Sequence, residues 1–564
     1  MSSNENIDRL NAWSLGLHRG GQWFGKFLVI GVLAAVVGGS LWYGGWRLKT
    51  SQAQRDAVEN SIHLYFEKPF LGAQQYAWDL QKLEPQLDRG TRNAKDSFFF
   101  FLMGFGGTVF LTWKLTGGLA KKAKDQHRRR GSQIAPPKEV ARRVVRDAKR
   151  RKAGTAEFEL AGVPLPPASE RQHMLMIGST GVGKSTAIRE LLDQVRARGE
   201  KAIIYDPGGH YLSAYAEPGH NDAFLNVFDR RSDEWSIFSE IQNENDAQAV
   251  ASALIPSSEG DKGGEFWSGS ARNLLASVLW KLTQTNPTMS ELHNVLLCSS
   301  AQELRDYLAG TSGGAGLGTG EGEQAGGVVA HAAQRTQWLQ HLAQRERAAG
   351  AGNFSLRKWI REDAGGFCYL GSRADHKEQL APLLSLYVDL AAREILSMGD
   401  SQGRRRIWII VDELADLQKM PKLMDLLAQG RKYGAAVVIG VQNLGQLRQI
   451  WSRDGAVALM DLCSTKLIYR TGDPEAAEYG QKCLGEVEVE RKDQGQNSGG
   501  QGRFSASERI ERVPLVMASE IQTLPDLAAY LILAGDYPRS QIEIQYRKPE
   551  IRMAEFREWR APVC

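Results

Sequence analysis

Residues 173–192 read His173-Met-Leu-Met-Ile177, then Gly178-Ser-Thr-Gly-Val-Gly183-Lys184-Ser185, then Thr186-Ala-Ile-Arg-Glu-Leu-Leu192. The first five residues have the composition of a short buried strand, and the last seven open a helix. Between them lies G-x-x-x-x-G-K-[ST], a phosphate-binding loop in its required strand–loop–helix setting. Gly178, Ser179, Thr180, Gly181, Val182, Gly183, Lys184, Ser185 and Thr186 are the candidate nucleotide ligands. The glycines let backbone N–H groups curl around phosphate oxygens, and the helix N-terminus adds partial positive charge. Lys184 is expected to reach the β- and γ-phosphates, and the Ser185 hydroxyl to take a place on Mg²⁺.

Such a loop needs an acidic partner for the metal. Arg404-Arg405-Arg406 leads into Ile407-Trp-Ile-Ile-Val411 and then Asp412-Glu413. An unbroken apolar run suits a central parallel strand covered on both faces. Asp412 at its end is the candidate Mg²⁺ carboxylate, and Glu413 the candidate base that polarises the attacking water. The bland reading is that the pair caps the next helix. Further strands are read at Lys201–Tyr205, Ala435–Val441 and Lys466–Tyr469. Their alternation with helices predicts an open parallel sheet whose ligand loops lie at the strand C-termini, bringing Asp206, Asp412 and Gln442 to one edge. Asp206 alone reads equally well as a turn or cap.

The chain has 564 residues, 42% hydrophobic and 24% charged, which excludes a disordered polymer. Five cysteines without close spacing exclude a disulfide scaffold and a cysteine-cluster zinc site. The net charge of +5 is unevenly spread, because residues 114–152 hold 15 Lys or Arg and 3 Asp or Glu. Phe27–Trp46 is uncharged for 20 positions, and Ser97–Trp113 for 17. At about 1.5 Å per residue the first is long enough to cross a bilayer and the second near the lower limit. Trp23, Trp42, Trp46 and Trp113 sit near the expected interfaces. The basic block following the second span predicts both termini inside and residues 47–96 outside. Anionic lipid is its expected contact.

The order of these segments resembles the type IV coupling proteins of conjugation, the TraD-like membrane ATPases of the FtsK/HerA-type motor superfamily. The residues carrying the resemblance are the two spans, Gly178–Ser185, Tyr205-Asp206-Pro-Gly-Gly-His210, Asn226-Val-Phe-Asp229, Trp235-Ser-Ile-Phe238, Val411-Asp412-Glu413, Gln429-Gly430-Arg431-Lys432-Tyr-Gly434, Val441-Gln442, Thr471-Gly-Asp473-Pro-Glu475 and Leu524-Pro-Asp-Leu527. The resemblance implies an α/β, RecA-like P-loop ATPase domain with an inserted all-α domain behind a two-helix transmembrane anchor. It implies a homohexamer on the bacterial inner membrane with ATPase domain and termini cytoplasmic. Its implied cofactors are ATP and Mg²⁺. Its implied partners are DNA, a relaxase or relaxosome, inner-membrane components of a type IV secretion channel, and membrane lipid. By motif, Gln442 would sense the γ-phosphate and Arg431 would be an arginine finger reaching a neighbouring subunit.

The expected divisions are an anchor over 1–130, a first nucleotide-binding part over 131–239, an inserted helical domain over 240–355 and a second nucleotide-binding part over 356–564. Helix-like stretches in the insert are Asp246–Leu254, Ser268–Leu282, Ser290–Leu297 and Ala330–Arg347, with Gly310–Gly327 read as a mobile loop. Residues 486–513 read as a hairpin with a long tip, where Arg503 and Phe504 are candidate DNA contacts. The sequence ends at Cys564 soon after the strand-like Gln541–Tyr546. Some relatives recruit cargo through a long tail, so here the helical domain or a separate adaptor is expected to choose the substrate. Two rival functions stand beside DNA transfer: a chromosome-segregation translocase and a nucleotide-switched receptor for protein cargo.

Overall fold

A computed structural model describes residues 35–67, 79, 81–85, 88–89, 91–106, 128–257, 262–285, 287–317, 323–350, 352–402, 405–495 and 505–560. The chain divides into two compact units, Met1–Arg129 and Arg130–Cys564.

In the first unit, residues 35–49 and 91–106 are helical and Gln52–Glu67 forms a further helix. The first two pack closely through glycine. A Cβ on Gly38 would lie 2.9 Å from the Phe101 ring, and one on Gly104 would lie 2.7 Å from Leu41. These helices also expose Val36, Val37, Phe98, Phe99, Leu102 and Met103. Residues 27–34 and 107–113 of the expected spans lie outside the described residues. Among the described residues no helix is long and apolar enough to cross a membrane.

The second unit is built on a nine-stranded sheet. Its strands are β1 (Met174–Ile177), β2 (Lys201–Tyr205), β3 (Ala223–Leu225), β4 (Gly366–Leu370), β5 (Ile407–Val411), β6 (Ala435–Val441), β7 (Thr465–Tyr469), β8 (Ala528–Ile532) and β9 (Ser540–Glu543). Their spatial order is β9-β8-β7-β1-β6-β5-β2-β4-β3. From β7 to β3 every pairing is parallel. The strands expected to form the parallel sheet thus pair in parallel, and two further strands extend the sheet at one edge, β8 antiparallel to β7 and β9 antiparallel to β8. The link between β8 and β9 is too short for a crossover of a dozen or more residues, which parallel pairing would need.

Alternate residues of each central strand enter two cores. Leu175, Ile177, Ile203, Ile409, Val411, Val437 and Ile439 face one, and Met174, Met176, Ala202, Ile204, Trp408, Ile410 and Val438 the other. Each large aliphatic side chain buried this way contributes about 1.5–3 kcal/mol. Both faces are apolar because helices cover both.

Between β3 and β4 the regular elements of the described residues are helices. The longest, Lys262–Gln284, packs against Glu244–Leu254, Ser312–Gly316 and Glu323–Arg335. Two expectations change here. The stretch Ala330–Arg347 is not one helix but the end of Glu323–Arg335 and most of Leu339–Ala349. At the break, the buried Trp338 donates its indole N–H back to the Arg335 carbonyl at 3.0 Å. The Gly310–Gly327 run is partly helical, in Ser312–Gly316 and from Glu323 onward. Its glycines permit close packing: a Cβ on Gly313 would meet Ser277 at 2.8 Å, and one on Gly327 would meet Trp267 at 2.8 Å.

Arg345 ties the helical insert to the sheet domain. It is buried and donates to Glu234 Oε1 at 2.6 Å and to the carbonyls of Asp229 and Ser232 at 2.8 and 3.1 Å. Residues 552–559 form a strap over the same region, with Arg552 N donating to Ser213 O and Trp559 N to Phe228 O, both at 2.8 Å. The hairpin pairs Glu486–Gly495 with Ser505–Pro514 in the register Glu486↔Pro514. Its tip, with Arg503 and Phe504, lies outside the described residues.

Candidate nucleotide site

The cradle follows β1. Gly183 has φ 113° and caps the helix Lys184–Ala197, hereafter α1. A side chain there would be strained, and its Cβ would also sit 2.9 Å from Leu527. Neighbouring strands pin the loop: Gly178 N donates to Val441 O at 3.1 Å, Ser179 N to Arg470 O at 2.9 Å and Leu527 N to Val182 O at 2.8 Å. Gly472 N also donates to Ser179 Oγ at 3.1 Å.

Lys184 is 5% exposed, and its ammonium donates to the carbonyls of Gly178 and Ser179 at 2.5 and 3.1 Å. Burial lowers its pKa, while Asp412 and Glu413 oppose that shift. Ser185 Oγ donates to Asp412 Oδ2 at 2.5 Å, joining two motifs that lie 227 residues apart. Thr180 Oγ1 donates to Gln442 Oε1 at 2.5 Å, so the residue after β6 also meets the cradle.

Glu413 caps the turn that follows it, Leu414–Asp416, with its Oε1 accepting from Ala415 N at 3.3 Å. Its Oε2 is buried with no hydrogen-bond partner. Burial, with the nearby Asp416, pushes its pKa up to about 7 against the pull of Lys184. Asp206 is a cap. Its carboxylate accepts from the backbone N–H groups of Tyr211 and Leu212 at 2.9 and 2.7 Å, and burial raises its pKa to about 6.

Arg431 lies at the other end of the strands. It is exposed in the turn Gly430–Tyr433, directly before β6, whereas Gln442 follows the last residue of that strand. The cradle and Arg431 of one chain therefore occupy opposite sheet edges. Sequence reasoning missed two features. Tyr211 donates its hydroxyl to Asp412 Oδ2 at 2.8 Å. A cavity of about 300 Å³ opens beside Thr186, lined by Gly162, Arg189, Glu190, Gln545 and Arg547 among others. The only local hint of Tyr211 was its place behind the Gly208-Gly209 turn after β2.

These residues fit a magnesium–nucleotide. A buried ammonium here is held only by carbonyls, which a phosphate can replace. A hydroxyl and a carboxylate converge as hard oxygen donors suited to Mg²⁺. A buried carboxylate oxygen beside them lacks a partner.

Residues 157–545 match the family model described as the type IV secretion-system coupling protein DNA-binding domain. The chain is 30% identical over 455 residues to the coupling protein TraD of Escherichia coli, covering 79% of this chain and 62% of that one. It is 24% identical over 229 residues to the conjugal transfer protein TraG of Agrobacterium fabrum, covering 40% and 34%. The unbound conjugative coupling protein TrwBdeltaN70 superposes with a TM-score of 0.67 at 31% identity, over 76% of this chain and 97% of that one. The TrwB complex with ADP and Mg²⁺ superposes at 0.66 and 30% identity, over 77% and 98%. The chain thus spans under two thirds of the length of its Escherichia coli relative.

Proposed function

The chain belongs to the type IV secretion-system coupling proteins, and on that footing we propose that it is a membrane-anchored hexameric ATPase. It couples a DNA–relaxase substrate to a type IV secretion channel and drives DNA transfer in conjugation. The observation that carries the motor half of this reading is the Ser185–Asp412 pair at 2.5 Å beside buried Lys184 and Glu413. The family match over residues 157–545 carries the coupling half.

The site takes ATP with Mg²⁺. Ser185 and Asp412 would hold the ion, which would neutralise charge on the phosphate oxygens. Lys184 exchanges its two carbonyl partners for phosphate. Glu413 accepts a proton from the attacking water through the oxygen that has no partner. Gln442, already touching the cradle through Thr180, reports phosphate occupancy to β6. Arg431 faces away from its own cradle and serves a neighbour's in a ring, stabilising charge that develops during transfer.

The anchor reading is supported by the exposed apolar faces of residues 35–49 and 91–106. Closely packed glycine contacts of their kind suit helices in lipid. A cysteine at Ser61 should react with an impermeant reagent in intact cells and one at Ser132 should not; the reverse pattern refutes the topology. For the function as a whole, conjugation frequency should collapse when the chain is deleted and return with the parent chain but not with Lys184→Ala. Restoration by Lys184→Ala would refute the motor.

A further inference from the structure

Asp412 Oδ2 accepts two hydroxyl hydrogen bonds, from Ser185 at 2.5 Å and from Tyr211 at 2.8 Å. Ser185 is also a metal ligand in the reading above. Ser185 Oγ can bind the ion through a lone pair while its O–H still donates to Asp412, and Tyr211 supplies to the same carboxylate oxygen a second donor that the ion does not engage. Tyr211 is only 4% exposed, so no water easily takes its place.

The short helix that carries Tyr211 is held at three points. Asp206 holds the backbone N–H groups of Tyr211 and Leu212. The C-terminal strap reaches the same short helix, His210–Tyr215, through Arg552 N and Met553 N, which donate to Ser213 O at 2.8 and 3.3 Å. His210 Nδ1 meets Glu555 Oε1 at 2.8 Å. Gly209 lets the strap approach, since a Cβ there would lie 2.2 Å from the Glu555 carbonyl oxygen. A tyrosine aimed at a carboxylate by an acidic cap and a strap 345 residues away in sequence is a built feature.

We propose that Tyr211 is a positioning residue for the metal, holding Asp412 in the orientation that serves Mg²⁺ while Ser185 is engaged with the ion. Partners of this kind, bonded to a ligating carboxylate, typically govern metal affinity by about 10–100-fold. The inference rests on the ATPase reading, and its test separates the two.

The test uses the solubilised full chain and its Tyr211→Phe variant, which keeps the ring and its packing. Affinity for a fluorescent ADP is titrated in EDTA and across Mg²⁺ concentrations, and Mn²⁺ binding to the ADP complex is followed by electron paramagnetic resonance. The expected result is affinity in EDTA within twofold of the parent, with the Mg²⁺ or Mn²⁺ concentration for half-saturation raised at least tenfold. In an Asp412→Asn background, Tyr211→Phe should shift the metal titration no further. An unchanged metal titration, or equal loss with and without metal, overturns the proposal. Lys184→Ala is the control: if it leaves ADP binding intact, the nucleotide-site reading itself fails. If it weakens binding while Tyr211→Phe leaves the metal titration unchanged, only the role of Tyr211 fails.

Discussion

Gly440 offers a perturbation whose size is set by the backbone. It pairs with Met176 of β1 and lies one residue from the end of β6. A Cβ built there would sit 1.8 Å from the carbonyl oxygen of Asp412 and 2.7 Å from its carbon. Real Cβ atoms stay beyond 3.0 Å of such atoms, so Gly440→Ala forces a displacement of at least about 1.2 Å. The strands cannot absorb it inward, because Ile409, Ile410, Val437 and Val438 are fully buried on both faces. Asp412 moves instead. A displacement of that size stretches the 2.5 Å Ser185–Asp412 bond to about 3.7 Å, beyond hydrogen-bonding distance. A misplacement of roughly 1 Å costs about 10²-fold in turnover, and the overpacking costs about 1–3 kcal/mol of stability. ATP turnover and thermal unfolding are measured together, with Gly326→Ala as control, since a Cβ on Gly326 meets nothing within 4 Å. Turnover within twofold of the parent for Gly440→Ala, at unchanged melting temperature, refutes the argument.

Arg345→Met removes the guanidinium from Glu234 and from the carbonyls of Val227, Asp229 and Ser232 and should destabilise the chain by about 2–4 kcal/mol in urea unfolding; an unchanged midpoint contradicts this. Burial pushes the Asp389 carboxyl up to about 6 against Lys422 and Arg393, so the folded state binds its proton more tightly than the unfolded chain. Stability from this group is full below the unfolded value near 3.8 and is lost as pH rises through about 6. Asp389→Asn, which can still accept from Lys422 N, should therefore gain up to roughly 3 kcal/mol relative to the parent between pH 4 and 7.5, and parallel stability–pH curves would contradict it. Arg431→Ala should bind ATP yet be inactive alone, losing about 10³–10⁵ in turnover. Mixed with Lys184→Ala it should regain partial activity, and mixed rings that stay inactive refute the in-trans role.

What was legible in the sequence was local or periodic. The Gly178–Ser185 spacing and the run Ile407–Val411 announce themselves because one loop and one doubly buried strand require them. β4 was missed because Gly366-Phe-Cys-Tyr-Leu370 opens on a glycine and mixes apolar with polar-tipped residues, although all five are buried. β3 is three residues long and carries no period. The glycines of the helical insert resemble a linker in composition, while their reason is a neighbour in space, as Ser277 is to Gly313. Tyr211 belongs to the same class: it meets Asp412 across 201 residues, and no spacing rule reaches that far. The antiparallel edge is likewise decided by pairing between segments, not within them.

The central claim is that nucleotide turnover at this site is work done on DNA. The most direct measurement is ATP hydrolysis by the solubilised full chain with and without DNA, for the parent and for Glu413→Gln. The account predicts turnover stimulated by DNA in the parent, with Glu413→Gln binding ATP normally but hydrolysing it slowly under both conditions. Turnover indifferent to DNA, or Glu413→Gln protein as fast as the parent, would contradict it.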